Sequence, residues 1–283
     1  MLLALAAACV GTSGCHSGPA TVLAELGESR RLAADMRVHF NKAAEASNRA
    51  VMAETDEASI AFAREAEQSS TVVDRDVAAL GPILGSLSVT DEIQLLGQFE
   101  KQFSRYREVD HTVLTLAVEN TNLKAQRLSF GPARELADHF KAALVDFAPA
   151  LAAKDLCRAE GLAAKATLSV RELQTLQGPH IASADDGAMT GMEKEMTTLE
   201  AQTTEALAAL HGLIAPSSMT AAEAAFEQFK NIEGQIVALS RRNTNVRSLE
   251  LSLKDKPPLT AACDDTLLRL QAALAQEGSK ATR

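Results

Sequence analysis

Aromatic residues are nearly missing from this chain. They are 4% of 283 residues, with no Trp and one Tyr, Tyr106, and Gly (15) and Pro (8) are also sparse. Sheet proteins draw on β-branched and aromatic side chains and on frequent Gly- and Pro-bearing turns, while disordered chains are poor in apolar residues. A chain that is 46% hydrophobic and rich in Ala fits neither class and reads as helical. An excess of positive charge is missing too: the net charge is −9, so no concentrated basic face exists for a nucleic-acid groove. The short basic pairs Arg30-Arg31 and Arg241-Arg242 are flanked by acids and read as solvated helix surface. HExxH, GxSxG, P-loop and GxGxxG patterns do not occur, so the usual frames for hydrolytic zinc, nucleophilic and nucleotide chemistry are lacking. No enzyme activity and no cofactor are expected.

One run breaks the scarcity of long apolar stretches. Leu2 to Val10 is uninterrupted but far shorter than the ~20 residues a spanning helix needs. Gly11-Thr12-Ser13-Gly14-Cys15 follows, and an apolar segment closed by small residues resembles an export signal. The Cys placed directly after it resembles a bacterial lipobox, with Thr12 where a Leu-like residue is usual and no Lys or Arg before the run. Residues 1–18 are therefore read as a signal segment with lipidation at Cys15. Cys9 after Ala6-Ala7-Ala8 as a rival cleavage point, an ordinary cleaved signal, and a soluble cytoplasmic protein are the alternatives. The expected location is the periplasm, at the membrane by a lipid anchor. Cys157 and Cys263 remain, one in each half, and either a disulfide or two free thiols is compatible with export.

Helical periodicity fills the rest. Breaks fall at Gly81–Thr90, Gly131-Pro132, Pro149, Gly178–Gly191, Pro216–Thr220 and Pro257-Pro258, with one turn near Ala53–Glu57. Eight helices result, near 20–52, 57–85, 90–129, 132–147, 150–177, 188–214, 220–253 and 259–277. They form two sets of four. Val77–Leu80 (VAAL) matches Leu207–Leu210 (LAAL) at an offset of 130 residues, as do Thr90 and Thr220, whereas Asn120 matches Asn243 at 123. The seven residues lost equal one heptad, a deletion that preserves an apolar seam. The seam runs through Leu116, Asn120 and Leu123 in one set and Leu239, Asn243 and Val246 in the other. The fold is thus expected to be all-α: elongated antiparallel four-helix bundles, two in tandem by internal duplication, over residues 20–148 and 149–283.

Ala63–Leu80 (AREAEQSSTVVDRDVAAL) and Phe99–Ala117 (FEKQFSRYREVDHTVLTLA), with the Tyr106-Arg107 pair in an aromatic-bearing helix ahead of an apolar run, resemble the four-helix-bundle sensory modules of methyl-accepting chemotaxis receptors. The resemblance is best over 20–148, with an echo over 149–283. It implies a sensory or stress-sensing module of the cell envelope. No second apolar span, linker or signalling hairpin of that family is found in the sequence, so a signal is expected to pass to a separate membrane or envelope protein.

Candidate site residues are polar ones that interrupt the seam: Asn120, Asn122, Lys124 and Arg127 in the first set, and Arg242, Asn243, Asn245 and Arg247 in the second. An Arg and an Asn projecting between helices can hold a carboxylate, making a small anionic ligand the candidate partner. The same Asn placed on a seam can instead fix register and partner choice, including a homodimer. Asp35/His39 and Glu135/His139 lie one helical turn apart and read as surface pairs rather than metal ligands. Three function classes stand: foremost a non-catalytic sensory or ligand-binding module, then a structural interaction protein without a small ligand, and last a metal-binding or redox bundle. Changing Cys15→Ser should release the protein from the membrane fraction; unchanged retention on fractionation would dispose of the anchor at that residue.

Overall fold

A computed structural model describes residues 18–145, 153–214 and 216–282. The signal segment with Cys9 and Cys15, and the expected break at Pro149, lie outside them. Among the described residues there is no strand, and the fold is all-α. The helices are α1 (Pro19–Val51), α2 (Asp56–Leu87), α3 (Thr90–Glu119), α4 (Thr121–Leu128), a π-helical segment (Ser129–Ala133), α5 (Arg134–Ala143), α6 (Ala153–Ala182), α7 (Asp186–His211), α8 (Pro216–Arg242), α9 (Thr244–Lys254) and α10 (Lys256–Ala281). None of them is long and apolar enough to cross a membrane. Cys157 and Cys263 are both free.

Local chemistry explains where these helices start. Thr55 Oγ1 accepts from the Ala58 N–H at 3.1 Å, and Asp185 Oδ1 accepts from the Ala188 N–H at 2.8 Å. The prolines expected to break the chain at 257 and 258 instead occupy the first turn of α10, where their missing N–H groups are not needed. At Gly131-Pro132 the expected boundary is also absent. The backbone stays helical, and a wider π turn absorbs the proline. Thr220 with Glu223 does not form a capping box, because α8 begins four residues earlier, at Pro216.

The duplication holds, but its missing heptad sits elsewhere. Along α2 and α7 the buried positions keep the 130-residue offset: Ala66 and Met196, Val73 and Thr203, Leu80 and Leu210. Along α3 and α8 they keep 123 from the start: Leu96 and Met219, Phe103 and Phe226, Tyr106 and Phe229, Val113 and Ile236. The seven residues are therefore removed between the second and third helices, and the agreement of Thr90 with Thr220 is incidental.

The chain forms two compact units that do not follow its halves. The first takes the described residues of Met1–Ala44, Glu67–Tyr106 and Leu259–Arg283; the second takes Glu45–Ala66 and Arg107–Pro258. In unit 1, Phe40 of α1, Leu80 of α2 and Phe99 of α3 enclose Leu267, Leu270 and Leu274 of α10. Phe40 meets Phe99, Phe103 and Tyr106 edge-on at 5.0–6.3 Å. In unit 2, Phe140 of α5 and Ala125 of α4 pack with Leu173 of α6, Leu207 of α7 and Phe229 of α8. A smaller cluster gathers Ala50, Ala66 and Ala117 at the neighbouring ends of α1, α2 and α3. Each four-helix bundle thus combines three helices of one repeat with the fourth helix of the other. That pairing is why the expected boundary at 148/149 is not the boundary between units.

Matched positions show where the two repeats diverged. Asp110 of α3 is buried with Lys256 Nζ at 3.0 Å and Ser47 Oγ at 2.5 Å. Glu233 of α8 occupies the matching position, and the place of Lys256 is taken by Ala133. Glu233 is 2% exposed and neither carboxyl oxygen has a hydrogen-bond partner. Burial, and secondarily the Glu200 carboxylate, push its pKa up to about 8 from 4.5. The group is neutral at pH 7 in the folded protein. Its folded pKa is raised, so the stability it permits is full below about 4.5 and is lost as pH rises through about 8. Glu233→Gln keeps the shape and removes the titration. Its melting temperature relative to the parent should climb between pH 5 and pH 9 in thermal denaturation, and a constant difference would contradict the buried neutral acid.

Candidate functional site

The residues expected to meet a ligand come together in unit 2, and they do so by leaving the helix. Asn120 (φ 50°, ψ 40°) and Asn243 (φ 51°, ψ 39°) adopt left-handed backbone conformations. The two seam helices expected to run unbroken through them therefore stop at Glu119 and Arg242 and restart at Thr121 and Thr244. Asn is among the few residues besides Gly that visit this region readily, which suits it to the break. Each restarted helix exposes N–H groups that have no partner within its own turn.

Those groups are satisfied by the other repeat. The Thr121 N–H donates to Thr244 Oγ1 and the Thr244 N–H to Thr121 Oγ1, both at 3.1 Å, and the two hydroxyls lie 3.2 Å apart. One residue on, the Asn122 N–H donates to Asn245 Oδ1 at 3.1 Å and the Asn245 N–H to Asn122 Oδ1 at 3.2 Å. Every one of these contacts joins residues 123 apart, so the pattern is a local two-fold in which each helix caps the other. The remaining amide hydrogens extend it. Asn122 Nδ2 donates to Ile181 O (2.7 Å) and Asn243 Oδ1 (2.8 Å), Asn245 Nδ2 to Asn120 Oδ1 (2.8 Å), and Asn243 Nδ2 to Ser183 O (2.8 Å). The symmetry ends at the outer amides: Asn122 Nδ2 reaches the Ile181 carbonyl while Asn245 Nδ2 reaches no carbonyl, and Asn120 Nδ2, unlike Asn243 Nδ2, is buried without a hydrogen bond.

The charged candidates surround this layer without converging on a shared space. Arg242 pairs with Glu119 at 2.9 Å, and these two residues occupy matching positions in the repeats. Lys124 Nζ donates to the Glu119 carbonyl at 2.7 Å, closing the end of α3. Arg127 reaches Asp56 at 3.0 Å, and Arg247 is exposed without an ion pair among the described residues. The donors assigned to an anionic ligand are largely engaged, and the layer fastens two turns together.

A second polar group beside it was not legible in the sequence. His180 is fully buried, with Nδ1 2.8 Å from Ser240 Oγ and Nε2 3.0 Å from Glu193 Oε1. Ser, His and Glu in that order are the members of an acyl-transfer triad. Here the hydroxyl is 0% exposed and lies 2.8 Å from the His180 carbonyl, to which it donates, so it bridges α6 to α8. Arg241 holds Glu193 through two bonds of 2.6 and 2.8 Å, and this pairing, aided by His180, keeps the Glu193 carboxyl below its usual range. The signal that could have found the group is again the repeat: Ser240 and Ala117 match, as do His180 and Ala50, and Ser59 Oγ approaches the carbonyls of Ala50 (3.1 Å) and Ala117 (3.0 Å). No cluster of three or more metal-ligating side chains occurs among the described residues.

No protein-family model matches the chain, and no curated protein matches it. The capping layer yields a direct test. Thr121→Val and Thr244→Val each leave a buried N–H unpaired and should each cost about 1–3 kcal/mol in chemical denaturation. Each variant strands a different N–H but both remove the one hydroxyl–hydroxyl contact, so the double variant should cost less than the sum of the singles. Strict additivity would show that the hydroxyls act independently.

Proposed function

We propose that the protein is a non-catalytic helical interaction module of the cell envelope, tethered through Cys15 and acting on a separate membrane or envelope protein. The supporting observation is a recurrence on the surface. Ten large apolar side chains are exposed among the described residues, and six of them fall into three repeat-matched pairs: Val38 with Leu168, Phe130 with Leu253, and Val145 with Leu268. Single exposed apolar residues are ordinary. Their return at matching positions of both repeats, where solvent gives no reason to keep them, fits faces that meet a partner.

A chemoreceptor-like sensory role remains as the second reading. It is favoured by an open cleft in unit 2 between α5 and α6, with a volume of about 510 Å³. That is the size of a small-molecule site, typically ~300–1,000 Å³.

Photo-crosslinking amino acids placed in the native host at 38, 130, 168 and 253 should yield defined adducts. The same groups at the unmatched exposed positions Met52 and Ile93 should not. Adducts at neither set, or equally at both, would overturn the interaction reading.

A further inference from the structure

The cleft between α5 and α6 has a counterpart in unit 1 between α10 and α1, which is open along Arg30, Ala34 and Gln271, and the two differ in the polar residues across the mouth. In unit 2 the lining includes Lys141, Leu144 and Val145 from the α5 side and Thr167, Leu168 and Arg171 of α6. The matching residues in unit 1 are Asp264, Leu267 and Leu268 on α10, and Arg37, Val38 and Asn41 on α1. There the polar residues form a clasp. Arg37 Nε donates to Asp264 Oδ1 at 2.7 Å and its Nη2 to Oδ2 at 3.3 Å, with Asn41 Nδ2 at 3.4 Å from the same carboxylate. The clasp spans the two helices over apolar side chains, and the Arg37 guanidinium beside Asp264 holds that carboxyl below its usual range.

Unit 2 has no counterpart of the clasp at these positions, and Asp138 with Arg171 joins its two helices instead. Lys141 replaces the carboxylate, Thr167 replaces the guanidinium, and Arg171 turns away to Asp138 and Gln174. The apolar floor is retained: Leu144 and Ala163 are buried, while Val145 and Leu168 remain exposed along the opening. Lys141 makes no ion pair or hydrogen bond among the described residues. The antiparallel pairing of α5 with α6, fixed by Asp138 with Arg171, places Lys141 and Arg171 toward one end. Glu160 and Val145 lie farther along. The result is an apolar trough with an uncommitted ammonium at one end.

We infer that this cleft binds a long-chain carboxylate, its head on Lys141 and its alkyl chain along Leu144, Ala164 and Leu168. The charge at the mouth selects the head: in unit 1 an acid sits there, already engaged by Arg37, and in unit 2 a base without an ion pair, so the unit 2 cleft is the one complementary to an anion. The trough supplies the remainder of the binding through burial of alkyl surface. This deepens the second reading above; it shares Leu168 with the interaction reading, so crosslinking at 38, 130 and 253, which lie outside the cleft, and dodecanoate binding keep the two failures distinguishable.

The test titrates purified full-length protein with dodecanoate below its micelle concentration, followed by calorimetry. One equivalent should bind. Lys141→Glu should weaken it roughly tenfold or more, the factor expected for a lost charge-assisted bond. Grafting the clasp by Lys141→Asp together with Thr167→Arg should abolish binding while the helical circular dichroism and melting temperature hold or rise. Val38→Ala, at the matching place in unit 1, should leave binding unchanged. Absence of saturable dodecanoate binding, equal affinity for dodecanol, or unaltered binding by the clasp graft would each overturn the inference. So would a graft that dissociates a dimer in sedimentation without touching dodecanoate affinity, since a second copy would then be the occupant.

Discussion

Unit 2 depends on two helix starts that cap each other. A left-handed residue costs about 1–2 kcal/mol, each new helix start exposes unpaired N–H groups, and two positive helix ends brought together repel. The reciprocal bonds among Asn120, Thr121, Asn122, Asn243, Thr244 and Asn245 offset all three penalties at once. They also explain the residue types. Asn122 accepts from one backbone N–H while donating to a carbonyl and to a second amide. A carboxylate could accept but not donate, and a hydroxyl lacks the second donor. Thr is used where one short hydroxyl must both accept from an amide and face its own twin.

The break has a topological consequence. A helix continuing straight through Asn120 would remain with its own repeat, but α4 and α5 pack instead with α6, α7 and α8. The counterpart after Asn243 sends α10 to α1, α2 and α3. Unit 1 therefore lacks its fourth helix until the last part of the chain is present, and its Arg37–Asp264 clasp joins residues 227 apart. Such separation raises contact order and slows folding relative to a bundle of consecutive helices. It also leaves the apolar faces of α1, α2 and α3 without α10 during synthesis, which is an aggregation hazard.

Helix existence was legible because apolar residues recur at helical spacing, and all eight expected segments begin within four residues of the start of an observed helix. The Asn pairing at 123 residues was legible as well. Its meaning was not, since an Asn on a seam and an Asn in a left-handed break share the same local sequence, and only the partner across the layer separates them. Pro132 and Pro257 misled for a related reason. Proline forbids a particular hydrogen bond rather than a helix, and a π turn or a first turn does not require that bond. The exchanged fourth helices could not be read at all. Periodicity defines which face is apolar, but both bundles offer α5 and α10 an equivalent surface.

Duplication supplies an internal control that a single bundle lacks. Where both copies keep a feature, packing suffices to explain it, as for Phe103 with Phe226 or Ala33 with Ala163. Where they part, one copy carries a satisfied interaction that the other lacks. Unit 1 keeps the Arg37–Asp264 clasp, while the matching positions of unit 2 carry Lys141 and Thr167. The Lys256–Asp110 pair of the first repeat's third helix likewise becomes Ala133 with Glu233. Both of these differences leave the bundle of α5, α6, α7 and α8 with the less satisfied member, but the exchange runs the other way beside the capping layer, where His180, Ser240, Glu193 and Arg241 interlock and the positions matching His180 and Ser240 carry Ala50 and Ala117. Buried unpaired polar atoms accordingly occur in both units, at Ser29, His39 and Asp76 in the first and at Asn120, Gln177 and Glu233 in the second. Divergence has therefore redistributed polar satisfaction between the copies over a common apolar frame, because the buried apolar positions fix the packing while a polar position needs only its own partner.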